Sequence, residues 1–296
     1  MRIVSLLPSA TEILFQLGLG DDVVGVTFEC DFPDEARTKR IVSTSALPDD
    51  LTPAEIDAVV KERMAAGEDL YRLDRGAFAE IDPELVVTQD LCAVCAVDVS
   101  EVDAALTFLA CSAEVLTLDP MTLDQVIDSI GDAGRATGTQ DRAAAIVADL
   151  RARLARVADA TAGVERRSTL LLEWTDPAFT GGHWVPDMIE AAGGGSVLGF
   201  PGANSQGVEW SAIRESDAEV VIVSPCGYRL DGAAELAQQV LDRDQLSASC
   251  EVWAIDADAV VVRPGPRVVD GVEVIASILH PERCGDPDPI LARRLR

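Results

Sequence analysis

Lysine, membrane-length apolar runs and standard catalytic motifs are scarce or absent in this sequence, and each absence excludes a class of protein. The formal charge is -27, from 51 acidic and 24 basic residues. Phosphate binding needs a basic surface, so nucleic acid is excluded as a partner. No apolar run reaches the roughly 18 residues of a spanning helix, which predicts no membrane insertion. Without a nucleophile elbow, P-loop or zinc-protease motif, nothing standard points to an enzyme.

The negative charge is spread along the whole chain, and it has two interpretations. It could form a cation-binding surface, or a solvated surface adapted to high salt, where screening removes self-repulsion. The even spread favours the second and predicts a halophilic protein. Only Met1 and Arg2 precede the first predicted strand, Ile3–Leu7, which leaves no room for a signal peptide. We therefore expect a cytoplasmic location.

Seven cysteines in 296 residues are an odd number in a large chain, so a disulfide framework is not indicated. Cys92 and Cys95 form a CxxC pair, whose thiolates could share a metal ion or form a redox disulfide. Cys30, Cys226 and His183 could complete a tetrahedral site. The alternative is that these cysteines are small buried hydrophobic residues.

Strand and helix patterns alternate in both halves of the chain, around a long helical stretch. The predicted strands include Leu85–Thr88 and Val220–Ser224, and the predicted helices include Ala10–Leu19, Val99–Leu109, Trp210–Glu215 and Val268–Leu279. One helix, predicted from about Gln140 to Asp159, carries an apolar stripe and would span roughly 30 Å. The pattern predicts an α/β fold of two Rossmann-like lobes with parallel sheets, joined by a single long backbone helix. We expect an N-terminal lobe over residues 1–138, the connecting helix over 139–163, and a C-terminal lobe over 164–296.

The residues of chemical interest follow the predicted strands at their carboxyl ends. Ser9 is predicted to cap the first helix, with Glu12 at capping-box spacing. In a parallel sheet, loops at the carboxyl ends of strands emerge on one edge. If the two lobes face each other, these loops line one cleft, which is the default ligand site.

Three residue groups in these loops suit a flat ligand. Trp174, Phe179 and Trp184 supply flat rings for an apolar macrocycle, although Trp174 could instead end a core strand. His183 lies in a glycine-rich loop and could bind a metal, a cobalt centre or a ligand amide, or simply lie at the surface. Arg263 could bind a carboxylate, phosphate or amide of the ligand, or form a structural ion pair.

Five segments together resemble a known family: Ile3–Glu12, Gly25–Pro33, Gly181–Pro186, Pro225–Gly227 and Arg263–Gly271. They are similar, in order and over nearly the whole chain, to the cobalamin-binding members of the class III, helical-backbone substrate-binding proteins. These are the BtuF-like components of ABC importers, whose relatives bind haem, ferric siderophores or metal ions. The resemblance implies a periplasmic binding protein fold with the ligand in an interlobe cleft. Carried over by position, the pocket would include Glu29, Gln89, Phe179, Ser205 and Arg263.

Importer relatives contact their permease through one glutamate on each lobe. At the matching positions this chain has Gly76 and Ser211, although Asp74 and Glu209 lie near and could substitute. Together with the missing signal peptide, this departure argues against permease docking.

These observations predict a cytoplasmic cobalamin- or corrinoid-binding protein that stores, delivers or senses the cofactor and is not an enzyme. Its predicted ligand-binding residues are Ser9, Thr11, Glu29, Gln89, Trp174, Phe179, His183, Trp184, Ser205, Cys226 and Arg263. Zinc or another transition metal could bind at Cys30, Cys92, Cys95 and His183. Two alternatives stay open: a metal- or thiol-dependent enzyme using those same four residues, and an ABC transporter receptor for another metal chelate, haem or a siderophore.

Overall fold

The computed structural model describes residues 1–48, 50–66, 68, 70–89 and 113–296. The chain divides into two compact units, one of residues 1–119 with 129–145 and the other of residues 120–128 with 146–296. Cys92, Cys95, Cys111 and the helix predicted at Val99–Leu109 lie outside the described residues. The metal or redox hypothesis for the CxxC pair therefore stays a prediction.

A mostly parallel sheet forms the centre of the described part of the first unit. Its strands are β1 (Ile3–Ser5), β2 (Val23–Thr27), β3 (Arg40–Ser45), β4 (Tyr71–Leu73), β5 (Leu85–Thr88) and β6 (Glu114–Thr117). Their order is β4-β3-β2-β1-β5-β6, and every neighbouring pair is parallel except β3 with β4. Ile3 and Val4 of β1 are completely buried. A central parallel strand is covered on both faces, which explains its continuous apolar sequence.

The first helix of the first unit is α1 (Pro8–Gln16), which begins two residues earlier than predicted. The helix was expected at Ala10 with Ser9 as its cap, but Leu7 is the capping residue and makes no side-chain cap bond. Proline favours the first helical position because its fixed φ already suits a helix. The prediction was therefore late by one helical half-turn, and Ser9 is buried inside the first turn. The other helices are a 3₁₀ helix (Asp34–Thr38), α2 (Pro53–Ala66) and α3 (Arg75–Ile81).

The second unit is built around a second parallel-rich sheet. Its strands are β7 (Ser168–Thr175), β8 (Ala178–Thr180), β9 (Gly195–Ser196), β10 (Gln206–Gly207), β11 (Val220–Val223), β12 (Glu251–Ile255) and β13 (Ala292–Arg294). The order is β10-β8-β7-β11-β12-β13, with β9 also pairing β7. The three central strands, β7, β11 and β12, run parallel. The short strands β8, β10 and β13 pair antiparallel at the margins of the sheet.

Two helices contain residues of both units. They are α4 (Leu123–Thr137) and α5 (Gln140–Ala160), separated by Gly138 at φ +71°. The remaining helices are α6 (Val185–Ala191), α7 (Trp210–Glu215), α8 (Leu230–Asp242), α9 (Ala257–Val260), α10 (Val268–Leu279) and α11 (Pro281–Cys284). The predicted fold class, an α/β fold of two lobes with parallel-rich sheets, is confirmed. The single long helix predicted from about Gln140 to Asp159 corresponds to α5, and α4 is a second helix with residues in both units. Among the described residues, no helix combines the length and apolarity that crossing a membrane requires.

Candidate functional site

The carboxyl edge of the second sheet carries a projecting hairpin. Strand β7 pairs with the end of β11 at Leu172, yet it continues to Thr175. Asp176 and Pro177 then turn the chain, and β8 returns antiparallel to β7. The segment Trp174–Trp184, expected as a loop after a strand, is therefore mostly strand and turn. The Asp176-Pro177 pair was taken only as part of that loop, although such a pair is also a turn signal.

Two of the predicted aromatic residues are brought together by this hairpin. Trp174 and Phe179 are directly opposite each other on β7 and β8, so their side chains share one face. The ring of Tyr228 meets the Trp174 ring edge-on, with centroids 5.9 Å apart. Phe179 in turn faces Gly207 of β10, which has no side chain to cover the ring. We call Trp174, Phe179 and Tyr228 the aromatic face; all three rings are half-buried.

Tyr228 was missed by the sequence analysis as a site residue. It follows the Pro225-Cys226-Gly227 turn after β11, and its backbone N–H donates to the carbonyl of Pro225 at 3.1 Å. Burial raises the pKa of its phenol above the ordinary value of 10.0. Its place at the carboxyl end of a central strand was the signal that could have identified it.

Trp184 has a different role from Trp174 and Phe179. It is only 6% exposed, and its ring N–H donates to the carbonyl of Val261 at 2.8 Å. A buried indole normally needs such a partner for its N–H. The structure therefore places Trp184 as an anchor of the His183 loop, facing the interior of the second unit.

A carboxylate on β7 fastens that loop. One oxygen of Glu173 accepts the backbone N–H of Gly182 at 3.3 Å, and the other accepts the hydroxyl of Ser205. The backbone N–H of His183 donates to Ala203 at 2.6 Å, and its carbonyl accepts from Gly202 at 3.0 Å. We call the contacts of Glu173 with Gly182 and Ser205 the Glu173 clasp. The predicted site residue Ser205 is thus held by the carboxylate of Glu173.

Removing the Glu173 clasp should cost stability, which gives a first prediction. Glu173→Ala would leave a partly buried N–H and hydroxyl without this acceptor, at a cost of about 1–3 kcal/mol. Glu173→Gln keeps one acceptor oxygen and should cost less. Urea unfolding measures both, with Glu190→Ala on the exposed side of α6 as the control. If Glu173→Ala unfolds at the same midpoint as the control, the clasp does not stabilise the loop.

His183 is held in an unusual backbone conformation. Its φ is +51°, in the left-handed region that few residues other than glycine adopt, although asparagine, aspartate and histidine do so more often than the rest. Burial lowers the pKa of its imidazole below the ordinary value of 6.5, and a hydrogen bond with Asn204 opposes this effect. The ring is therefore neutral at neutral pH, with a nitrogen lone pair available to a ligand. Strain of this kind is typical of functional positions.

The lowered pKa of His183 predicts how stability depends on pH. Because the folded state disfavours the protonated ring, the unfolded state binds the proton first as pH falls through about 6.5. Stability should therefore be lost as pH falls from 7 toward 5. His183→Asn, which tolerates positive φ, should remove this part of the loss. The urea midpoint is measured at pH 7 and at pH 5 for both proteins. An equal drop of the midpoint in wild type and variant would contradict this prediction.

Arg263 lies next to an acidic partner. Its guanidinium is 3.8 Å from the carboxylate of Asp258, and both side chains are less than one-fifth exposed. The other oxygen of Asp258 accepts the backbone N–H of Gly227 at 3.1 Å. Cys226, beside Gly227, has an exposed thiol, and its backbone N–H donates to the carbonyl of Glu173 at 3.1 Å. Asp258 therefore connects Arg263 to the turn that carries Cys226.

In the first unit, several predicted ligand residues are buried in the protein's own contacts. Thr11 is fully buried; its hydroxyl donates to Ser5 at 2.8 Å and lies 3.0 Å from the thiol of Cys30. Ser9 and Cys30 are also buried. These contacts support the alternative in which Cys30 is a small core residue. They account for Thr11 and Cys30 as packing residues of α1 and the segment after β2.

Glu29 and Gln89 are the other predicted site residues at the ends of strands in this unit. Glu29 is half-buried after β2, and the hydroxyl of Tyr71 donates to its carboxylate at 3.1 Å. The exposed ring of Phe28 lies 6.3 Å from the Tyr71 ring. Gln89 follows β5 and is 4% exposed. Of these, Glu29 and Phe28 present the surface that a ligand could reach.

No metal centre is found among residues 1–48, 50–66, 68, 70–89 and 113–296, because they contain no group of three or more histidine, cysteine, aspartate or glutamate residues arranged to hold an ion. Cys30 and His183 belong to different units. Their predicted partners, Cys92 and Cys95, lie outside the described residues. A bound zinc ion therefore stays a prediction.

Two parallel-rich α/β units, with ligand-type residues at the carboxyl ends of their strands, define the fold of the substrate-binding proteins of ABC importers. The chain belongs to the periplasmic binding protein family, which matches residues 3–250. This match, together with the cobalamin-binding relative and the BtuF structure described next, supports the resemblance to the BtuF-like members of class III.

Individual relatives agree with this assignment. The chain is 25% identical over 293 residues to an ABC transporter substrate-binding lipoprotein, YvrC, of Bacillus subtilis, covering 95% of this chain and 80% of the relative. It is 25% identical over 286 residues to a cobalamin-binding protein of Halobacterium salinarum, covering 94% and 69%. The periplasmic vitamin B12 binding protein BtuF of Vibrio cholerae has the same fold, with a TM-score of 0.67, 21% identity, and coverage of 94% and 96%.

Proposed function

We propose that this substrate-binding protein binds cobalamin or a closely related corrinoid, reversibly and without catalysis. The observation that carries the proposal is the aromatic face of Trp174, Phe179 and Tyr228 at the carboxyl edge of the second sheet. Flat rings on a rigid hairpin suit a flat macrocycle, because ligand and rings bury apolar area with little loss of conformational freedom. The cobalamin-binding relative of Halobacterium salinarum supports the same ligand.

The charges around the aromatic face favour a ligand that carries amides. A corrin ring is surrounded by neutral amides, which donate N–H groups and accept at their carbonyls. Glu173 offers carboxylate oxygens that accept such donors, and Arg263 offers donors to amide carbonyls. Haem and many siderophores instead present carboxylates or other anions. Near Glu173 and Asp258, these anions would be repelled.

Titration calorimetry tests the proposal directly. Purified protein is titrated with cyanocobalamin, hydroxocobalamin and haemin, and elemental analysis measures metal content. One-to-one binding of a cobalamin, with haemin at least tenfold weaker, is the expected result. Tight haemin binding without cobalamin binding would favour the metal-chelate alternative. Stoichiometric zinc without binding of any tetrapyrrole would favour the enzyme alternative.

The imidazole of His183 is a further candidate contact with the metal of the bound chelate. Its neutral form is favoured by burial, and its backbone is fixed on both sides. We propose that it approaches the cobalt when the upper ligand is labile. Hydroxocobalamin should then show a change in its visible absorption on binding, and His183→Asn should abolish that change. If the variant produced the same absorption change as wild type, this contact would be contradicted.

A cytoplasmic location and the absence of permease docking stay predictions. Asp74 and Glu209 are exposed at the N-caps of α3 and α7, and Asp74 accepts the N–H of Ala77 at 2.9 Å. Cell fractionation with an antibody against the folded protein tests the location. Recovery in the membrane or external fraction would support an importer receptor over a cytoplasmic carrier.

A further inference from the structure

Asp258 is a mostly buried carboxylate beside Arg263 that the predicted site does not include. It lies on the short helix α9, five residues before Arg263, and its carboxylate is 3.8 Å from the Arg263 guanidinium. It also accepts the backbone N–H of Gly227 at 3.1 Å. One carboxylate thus holds both the arginine and the Pro225-Cys226-Gly227 turn after β11.

Both members of this ion pair are mostly withdrawn from solvent, at 13% and 17% exposure. Screening is weaker in such surroundings than at an open surface, so the negative charge of Asp258 acts strongly on whatever approaches Arg263. An arginine with a carboxylate beside it still has N–H donors for a neutral carbonyl. Its attraction for a ligand carboxylate is reduced, because Asp258 offsets its charge and repels the incoming anion.

We propose that Asp258 is a specificity-determining residue that makes the Arg263 subsite select a neutral amide over a carboxylate. The inference rests on the proposed corrinoid function and adds to it the chemical feature that is read at this position. Asp258 acts through Arg263 and need not touch the ligand. Val261, which lies between the two residues in the chain, accepts the ring N–H of Trp184 and so anchors the segment that carries both.

The test compares two ligands that differ by one group. Cyanocobalamin is compared with its monocarboxylates, in which one peripheral amide has been hydrolysed, by calorimetry at pH 7.5 and constant salt. Asp258→Asn removes the charge but keeps an oxygen that can accept from Gly227. The preference is the ratio of the affinity for cyanocobalamin to that for the monocarboxylate whose acid faces Arg263. In Asp258→Asn this ratio should be roughly tenfold smaller than in wild type, as expected for a partly buried charge pair.

Two controls isolate the effect. Asp231→Asn removes one carboxylate of the same unit from an exposed pair with Arg293, and its amide preference should equal that of wild type. In Asp258→Asn with Arg263→Gln, the gain for the monocarboxylate should disappear. Urea unfolding of each variant confirms that it is folded.

The outcomes separate this inference from the proposed function. Three outcomes would overturn the role of Asp258 and leave the proposed function standing. They are an unchanged amide preference in Asp258→Asn for every monocarboxylate, an equal gain in monocarboxylate affinity in Asp231→Asn, and a gain that survives in the double variant. If wild type binds no cobalamin, the proposed function fails and this inference fails with it.

Discussion

Gly182→Ala is expected to lower the thermal midpoint of the second unit by about 5–10 °C, from a loss of about 2–3 kcal/mol. A Cβ on residue 182 would lie 2.3 Å from the backbone nitrogen of Ser205 and 2.6 Å from the carbonyl carbon of Asn204. Both atoms belong to backbone, so no side-chain rotation relieves the clash. The Gly182 segment and the 203–205 segment would have to separate.

Separation of these segments would also break the contacts that hold His183 and Ser205. The bond from His183 to Ala203 and the Glu173 clasp both depend on this close approach. Cobalamin affinity should therefore fall with stability in Gly182→Ala. Gly195→Ala is the matched control, because its Cβ would have no neighbour closer than 3.8 Å. Thermal unfolding and calorimetry of both variants make the comparison, and a Gly182→Ala protein as stable as the control would refute the steric argument.

The central strands were predictable because burial on both faces leaves a continuous apolar sequence. Leu85–Thr88 was placed with its observed bounds, and Val220–Ser224 within one residue of them. The helices Trp210–Glu215 and Val268–Leu279 also match their predicted bounds. In these elements, the periodicity of the sequence and the tertiary environment favour the same structure.

The marginal strands were missed because their own sequences carry little signal. Ala178–Thr180, Gln206–Gly207 and Ala292–Arg294 have two or three residues each, and pairing with a neighbouring strand defines them. That pairing is a tertiary property. The missed strand Ala178–Thr180 is also why Trp174–Trp184 was read as a loop.

The candidate site was predictable in residue type more than in arrangement. Grouping Trp174 with Phe179 was sound, since the hairpin makes them cross-strand neighbours. Trp184 was placed with them on proximity in sequence alone. Its partner, the carbonyl of Val261, is 77 residues away, and no local pattern announces such a bond. Likewise, nothing in the sequence links Asp258 to Gly227, 31 residues earlier.

Trp174→Ala is expected to weaken cobalamin binding by roughly 30-fold or more, the loss typical of a central aromatic anchor. Trp174 is the middle member of the aromatic face, opposite Phe179 on β8 and in edge contact with Tyr228. Truncating it removes the largest ring and leaves Tyr228 without its neighbour. Trp174→Phe keeps a flat ring in the same place and should lose only a few-fold. Calorimetry with cyanocobalamin provides the dissociation constants.

The control must remove a tryptophan of similar exposure from the same sheet but away from its carboxyl edge. Trp253→Ala meets this need, because Trp253 lies mid-strand on β12, level with Ile222 and Arg294 and half-buried. Its affinity should stay near that of wild type wherever the variant remains folded. A ligand lying across the hairpin would contact Trp174 and Phe179 together, so the double variant should deviate from additivity. Wild-type affinity in folded Trp174→Ala would exclude the aromatic face from the binding site.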